Sequence, residues 1–291
     1  MKDYLVKAYG FNDSVRIYAV RTTKLVNKAQ KIHDLWPTSA AAFGRLLTAS
    51  VTMGAMYKGE QELTIRIEGD GPIGNMVTVA NAKGEVRGYL ENNHVFLQYN
   101  SGKLNVGQAV GNGFIHVTKD LKIKQPFTSS APIQTGELAE DFAYYFTASE
   151  QIPSAVGLGV LVDEDNSVIA SGGFILQVMP GISDETLSMI EKQIKDLPPV
   201  SEMIQDNITP EEIIDKMTNG DFTLLENLDL TYSCPCSKEK FEKGLLSLGQ
   251  KELQSLYDEG EEVETTCQFC NTQYAFSIEE IQTLIKETKN Q

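Results

Sequence analysis

The chain has four cysteines, and all of them lie between positions 234 and 270, as the close pairs Cys234-Pro235-Cys236 and Cys267-Gln268-Phe269-Cys270. About thirty residues separate the pairs. Two thiol pairs flanking a compact insert are what a tetrahedral ion needs. Each pair offers two sulfurs about one ion diameter apart, and the insert folds the pairs together. Zinc fits best, because four thiolates are soft and zinc accepts sulfur at ~2.3 Å without a redox change. The first pair is tighter than the usual ligand spacing, with a single proline between its thiols. A C-x-C pair of this kind would form a strained disulfide on oxidation, and hence a reversible one.

Other uses of these thiols are open at this point. Structural disulfides would suit an exported protein. Met1-Lys2-Asp3-Tyr4-Leu5 carries an acid at position 3 and no apolar core of signal-peptide length, so a reducing cytoplasmic location is expected instead. A zinc site could be purely structural. Cys267-Gln268-Phe269-Cys270 could also be a thioredoxin-like pair, but such pairs open a long helix, and Asn271-Thr272-Gln273-Tyr274 reads as a turn and strand.

Charge narrows the partners. The net charge is −15, which weighs against a nucleic-acid partner, since phosphates need a basic face. No apolar stretch is long enough to span a membrane. Residues 181–230 hold twelve acids against three lysines, a net −9, whereas residues 1–180 are close to neutral.

Three parts follow along the chain. Residues 1–180 predict an α+β domain. Strands are expected over Tyr4 to Tyr9 and Val15 to Val20, joined by a hairpin turn at Gly10-Phe11-Asn12-Asp13. A helix capped by Thr22 or Thr23 runs toward His33. A second, rich in small residues, runs from Pro37 to about Tyr57 and is suited to packing on a sheet. Strands follow at Leu63 to Ile67, Met76 to Val79, Val86 to Leu90, Phe114 to Val117 and residues 124–129. Then come a helix from about Glu137 and a hairpin around Asp163-Glu164-Asp165-Asn166. Residues 181–230 predict an acidic helical linker. Ser183 caps a helix with Leu187, Ile190, Ile194 and Leu197 on one stripe, and Thr209-Pro210-Glu211-Glu212 starts another helix. Short amphipathic helices need a surface to lie on. Residues 231–291 predict a small zinc-binding domain. Its helices start after Ser237 and at Lys251, a strand at Glu262 to Thr265 leads into the second cysteine pair, and Ser277 with Glu280 opens a last helix. So few apolar residues cannot build much core, so metal ligation would carry much of the folding free energy.

Several motifs mislead. Gly69-Asp70-Gly71-Pro72-Ile73-Gly74 matches G-x-G-x-x-G, yet a second strand rather than a helix follows it, so no pyrophosphate site is expected. His33, His94 and His116 lack ligand spacing. Neither a nucleophile elbow nor a phosphate-binding loop is present, and the chain does not read as an enzyme.

The C-x-C and C-x-x-C pairs near the end of a chain of this length, with the Gly69-Asp70-Gly71-Pro72 segment and the acidic middle, resemble the 33 kDa chaperonin family. This family comprises the redox-regulated heat-shock holdases of the bacterial cytosol. The resemblance covers the whole chain. It implies an α+β N-terminal domain, a metastable linker folded over it and a zinc-binding C-terminal domain with Cys234, Cys236, Cys267 and Cys270 as ligands. It also implies that the reduced, zinc-bound form is inactive. Under oxidative stress, disulfides Cys234–Cys236 and Cys267–Cys270 would form, zinc would be lost, and the linker and zinc domain would unfold. The active form, commonly a homodimer, would bind unfolded client proteins without ATP. The alternative is a zinc-ribbon module that recruits a protein or nucleic-acid partner.

Overall fold

The computed structural model describes residues 1–123 and 125–288. Lys124, at the start of the strand expected over residues 124–129, lies outside the described residues, as do residues 289–291 at the end of the expected zinc domain. The chain forms two compact units, Met1–Ser233 and Cys234–Gln291.

The first unit runs β1 (Tyr4–Gly10), β2 (Val15–Arg21), α1 (Thr23–His33), α2 (Pro37–Gly54), β3 (Glu62–Gly69), β4 (Met76–Asn81), β5 (Glu85–Leu90), α3 (Val106–Val110), β6 (Gly113–Asp120), β7 (Phe127–Pro132), α4 (Ala139–Ser149), β8 (Ser154–Val162), β9 (Val168–Val178), α5 (Asp184–Lys195), α6 (Val200–Gln205), α7 (Pro210–Thr218), β10 (Phe222–Asp229) and β11 (Thr231–Tyr232). The second holds α8 (Lys238–Leu246), α9 (Gln250–Glu259), β12 (Val263–Thr266), β13 (Gln273–Phe276) and α10 (Ile278–Thr288). The α+β class expected from the sequence is the one observed.

The first unit contains a five-stranded sheet, β10-β1-β2-β9-β8, and a six-stranded sheet, β11-β5-β4-β3-β6-β7. Helix α2 packs against strands of both sheets, and every residue in it except Pro37 is buried. Its sequence explains how. Alanines, a glycine and short hydroxyl residues let strands approach on all sides. The buried hydroxyls of Thr48, Ser50 and Thr52 each donate to the carbonyl four residues back, at 2.7–2.8 Å, so none needs water. Thr22, expected as a side-chain cap for α1, instead shares its hydroxyl with Thr48 and Ser171, each at 2.8 Å. The Gly69 to Gly74 segment joins β3 to β4 as a turn. A Cβ on Gly71 would come within 2.4 Å of the Ala109 carbonyl oxygen, so glycine is needed for this close approach.

The five-stranded sheet is covered on both faces. Leu5, Tyr18, Val20 and Ile175 face the main core with α2, while Val6, Ala8, Ile17, Ala19, Phe174 and Leu176 face a second cluster. Helices α5, α6 and α7 close that second cluster with Ile190, Met203, Ile204, Ile213, Ile214 and Met217. The acidic middle segment thus lies on the sheet of its own unit. Its caps follow the sequence. Ser183 accepts from the Thr186 amide, and Thr209 and Glu212 form a reciprocal capping box. Of the expected stripe, Ile190 is 1% exposed, Ile194 and Leu197 are half-buried against the cluster, and Leu187 is not part of it. Two polar latches add to the docking. The Tyr4 hydroxyl donates to Glu211 at 2.7 Å, and Arg21 donates to the Ile204 carbonyl at 3.1 Å. The segment is not wholly helical, because β10 pairs antiparallel with β1 at its end.

Ile214→Ala is expected to remove about 2–5 kcal/mol of docking free energy, the usual range for a fully buried isoleucine. Hydrogen exchange over residues 184–218 should then accelerate while the amides of β3, β4 and β6 keep their protection. Equal acceleration in both regions would mean that helices and core open as a single unit.

Candidate metal centre

The second unit has little to hold it together. Among the described residues, its core of buried apolar side chains is Leu245, Leu253, Phe276, Ile281, Leu284 and Ile285, with Phe241, Leu256 and Tyr274 among those packed around them. The hairpin β12–β13 runs in register from Val263 opposite Phe276 to Thr266 opposite Gln273. The second cysteine pair occupies the tip of this hairpin. The Cys267 amide donates to the Thr272 carbonyl at 2.9 Å, and the Asn271 amide donates back to the Cys267 carbonyl at 2.8 Å. Asn271 takes the left-handed backbone, φ 56°, that closes the turn. Ser277 accepts from the Glu280 amide and Glu280 accepts from the Ser277 amide, the box expected at the start of α10.

The hairpin tip and the segment at Cys234 to Cys236 bring all four Sγ atoms within 4.8 Å of one another. Cys234 lies 3.7 Å from Cys267, and Cys236 lies 3.3 Å from Cys270. A zinc ion with sulfurs at ~2.3 Å would set them about 3.8 Å apart, so the donor set fits the ion in number, softness and spacing. All four are free thiols, and Cys267 is the most enclosed, at 4% exposure. The histidines are used elsewhere: His33 with Tyr232, His94 with Asp34 and His116 with Ser130. The thioredoxin-like reading lacks its helix, because Cys267 and Cys270 lie between β12 and β13 while α10 starts only at Ile278.

The sulfurs are set in a shell of donors. The backbone N–H two residues onward points at the sulfur in three cases: Cys236 to Cys234, Phe269 to Cys267 and Thr272 to Cys270. The Tyr274 hydroxyl donates to Cys236 at 3.1 Å, and the Thr272 hydroxyl lies 3.2 Å from Cys270. Sequence spacing reads Thr272 and Tyr274 only as part of a turn and strand; the hairpin register brings their hydroxyls to the sulfurs.

Electrostatics divides the thiols. Burial pushes the Cys234 and Cys267 thiols above the ordinary range. For Cys270 burial is also the largest single influence and acts upward. The Thr272 hydroxyl and amide, with the neighbouring thiols, outweigh it and bring Cys270 down to about 7. Hydrogen bonding to Cys236 pushes the Tyr274 hydroxyl up to about 12, which keeps it a donor at neutral pH. Four crowded sulfurs cannot all carry charge without a cation between them. The cluster can therefore hold a soft dication, or it can give up electrons from whichever sulfur is ionised.

Known proteins agree with this architecture. The family described as Hsp33 protein matches residues 3–277. A 33 kDa chaperonin of Bacillus mycoides is 52% identical over 290 residues, covering 99% of this chain and 100% of that one. One from Bacillus velezensis is 50% identical over 288 residues, covering 98% and 99%. The crystal structure of the 33 kDa chaperonin (heat shock protein 33 homolog) from Thermotoga maritima superposes with a TM-score of 0.94 at 36% identity, over 100% of both chains. The chain belongs to the Hsp33 family of chaperones.

Proposed function

We propose that this chaperone is a redox-regulated, ATP-independent holdase of the cytoplasm and not an enzyme. It is zinc-bound and inactive when reduced, and oxidation of its thiols under oxidative stress switches it on to hold unfolding proteins, as a homodimer. The observation that carries the reading is the convergence of Cys234, Cys236, Cys267 and Cys270 in a unit with so small a core. Bound there, zinc would cross-link the hairpin tip to the chain at Cys234 and keep the thiolates deprotonated.

The switch is a balanced redox step. Two thiolates give two electrons to hydrogen peroxide, an S–S bond forms as the O–O bond breaks, and two protons are taken up to give water. Each disulfide removes two donors, and the small unit then lacks its main staple. In the first unit, α5 to α7 are held by one apolar face, and their release uncovers Val6, Ala8, Ile17, Phe174 and Leu176. That sheet face can hold apolar client surface, while the acidic segment keeps the complex soluble. Neither a nucleic acid nor a membrane belongs in this reading. No helix among the described residues is long and apolar enough to cross a membrane.

The test of the whole reading is to treat the protein with peroxide and mild heat, or with hypochlorous acid, and to follow zinc release together with light scattering from a denatured client. Oxidised protein that releases zinc but leaves aggregation unchanged would leave only a zinc-ribbon module.

Anaerobically purified protein should carry close to one zinc per chain, and serine at any of the four cysteines should lower the affinity. Thiols must lose protons to ligate, and Cys234 and Cys267 are held above the ordinary range, so affinity should fall as pH falls. A titration of zinc binding against pH with a competing chelator reads this directly, and a flat profile would exclude thiolate ligation.

Peptide mapping after oxidation should find Cys234 linked to Cys236 and Cys267 linked to Cys270. In the folded cluster Cys234 lies 3.7 Å from Cys267 and Cys236 lies 3.3 Å from Cys270, so the folded geometry does not itself favour links within the pairs. Once the unit loosens, the short loops favour nearest partners. Hydrogen exchange should rise over residues 181–291 and change little before them. A dominant link between the two pairs would overturn this order of events.

Replacing both Ile190 and Ile194 by aspartate should undock α5 and give a chain that suppresses client aggregation while still reduced and zinc-loaded. If protease cleavage near Pro198 confirms undocking but the chain stays inactive until oxidised, the linker is a passive tether.

A further inference from the structure

We propose that the free edge of β8 is a strand-accepting site, where an extended apolar segment of an unfolding protein adds to the five-stranded sheet. The inference rests on the holdase reading and names how the client is held. Strand β8, Ser154-Ala155-Val156-Gly157-Leu158-Gly159-Val160-Leu161-Val162, is the outermost strand of its sheet and pairs only with β9. In an antiparallel edge strand, alternate residues turn N–H and C=O groups away from the sheet. Among the described residues, no backbone group of another element bonds to that side of β8.

The other sheet edges of the first unit are defended. Strand β10 carries Glu226 and Asp229, and its pairing with β1 has a bulge at Lys7/Ala8. Strand β7 ends in Pro132, and β11 is two residues long. Charge, proline, bulging and shortness are the usual devices against edge-to-edge pairing. The nine residues of β8 have neither charge nor proline, and their one irregularity is at the far end, between Leu161 and Val162.

A groove lies beside this edge. It has a volume of about 900 Å³ and is lined by Leu158, Val160 and Val162 of β8, with Trp36, Phe96 and Val200 among its other residues. Its size is at the upper end of ordinary ligand pockets. Trp36 is 45% exposed, with one ring face stacked on His94 at 5.2 Å, and Phe96 is 51% exposed, so large apolar surface reaches water in the groove that β8 lines. A strand laid on β8 would satisfy both edge and groove, with ladder bonds from its main chain and alternate side chains in the groove. The geometry also ties the site to the linker. Gly159 lies so close to the first turn of α6 that a Cβ there would come within 2.4 Å of the Ser201 nitrogen. Undocking α6 removes Pro199 to Glu202 from the groove and uncovers the face of β8 at Gly159 beside the edge.

The test uses the full chain, oxidised, and a synthetic nine-residue peptide of alternating valine and threonine. A matched peptide is N-methylated at its four central residues and so cannot form a continuous ladder on either edge. The unmethylated peptide should bind at least tenfold more tightly and should slow hydrogen exchange of the 154–162 amides. Phe96→Asp, a change at an exposed position, should weaken it about tenfold without lowering the melting temperature. Equal affinity of the two peptides, or slowed exchange only elsewhere, would overturn the proposal. So would β8 protection that appears without peptide and grows with protein concentration, since a second copy would then occupy the edge. Light scattering from a denatured client is read in parallel. Suppression without β8 protection sinks the strand site alone, and β8 protection without suppression sinks the holdase reading alone.

Discussion

Burial of the outer face of the five-stranded sheet is the contact on which the rest of the first unit depends. Strands β1, β2 and β9 send alternate side chains into two different clusters, so neither face tolerates water. One face is closed by α1 and α2. The other is closed by α5, α6 and α7, whose own lengths of twelve, six and nine residues are too short for stability in isolation. The dependence is mutual. The helices need the sheet to exist as helices, and the sheet needs the helices to stay dry. Such mutual dependence makes the three helices and the sheet face they cover one packing unit.

The second unit is limited differently. A core of six buried apolar side chains cannot offset the ordering of nearly sixty residues. What the unit has instead is four sulfurs in one place, each needing either a proton or a metal. Backbone amides point at Cys234, Cys267 and Cys270, and the Thr272 hydroxyl at Cys270, and these favour the charged form. Burial of Cys234 and Cys267 favours the neutral form. A soft cation between the sulfurs would resolve this opposition, because it would replace the protons that burial otherwise keeps on Cys234 and Cys267.

The sequence showed most of this, unevenly. The cysteine cluster was legible because ligand spacing is a covalent fact that survives any folding detail. Strands β2 and β9 are legible because β-branched and aromatic residues are dense in them and tight turns, Gly10 to Asp13 and Asp163 to Asn166, bound them. Strand β10 was not: most of its residues are exposed, it is acidic, and it is held by its ladder with β1, so it leaves no periodic trace. Helix α3 is one turn long and equally silent. The stripe on α5 was read correctly at Ile190, but α6 and α7 hold more of the buried contact with Met203, Ile204, Ile213, Ile214 and Met217. In short helices, spacing alone cannot rank such residues. Thr272 and Tyr274 join the site only through the register of a four-residue hairpin, and composition does not reveal register.

The charge distribution follows from the same layering. Residues 1–180 are close to neutral, whereas residues 181–230 carry a net −9. The acids lie on a segment whose inner side is apolar, so its outer side is where they must be. A neutral core with an exposed apolar sheet face would self-associate. Docked, the segment covers that face with its apolar side and turns its acids to water, so the same residues close the sheet and set the charge of the surface over it. Screening limits the reach of that charge to about a Debye length, ~8 Å at physiological salt, so it acts only between chains that have nearly touched.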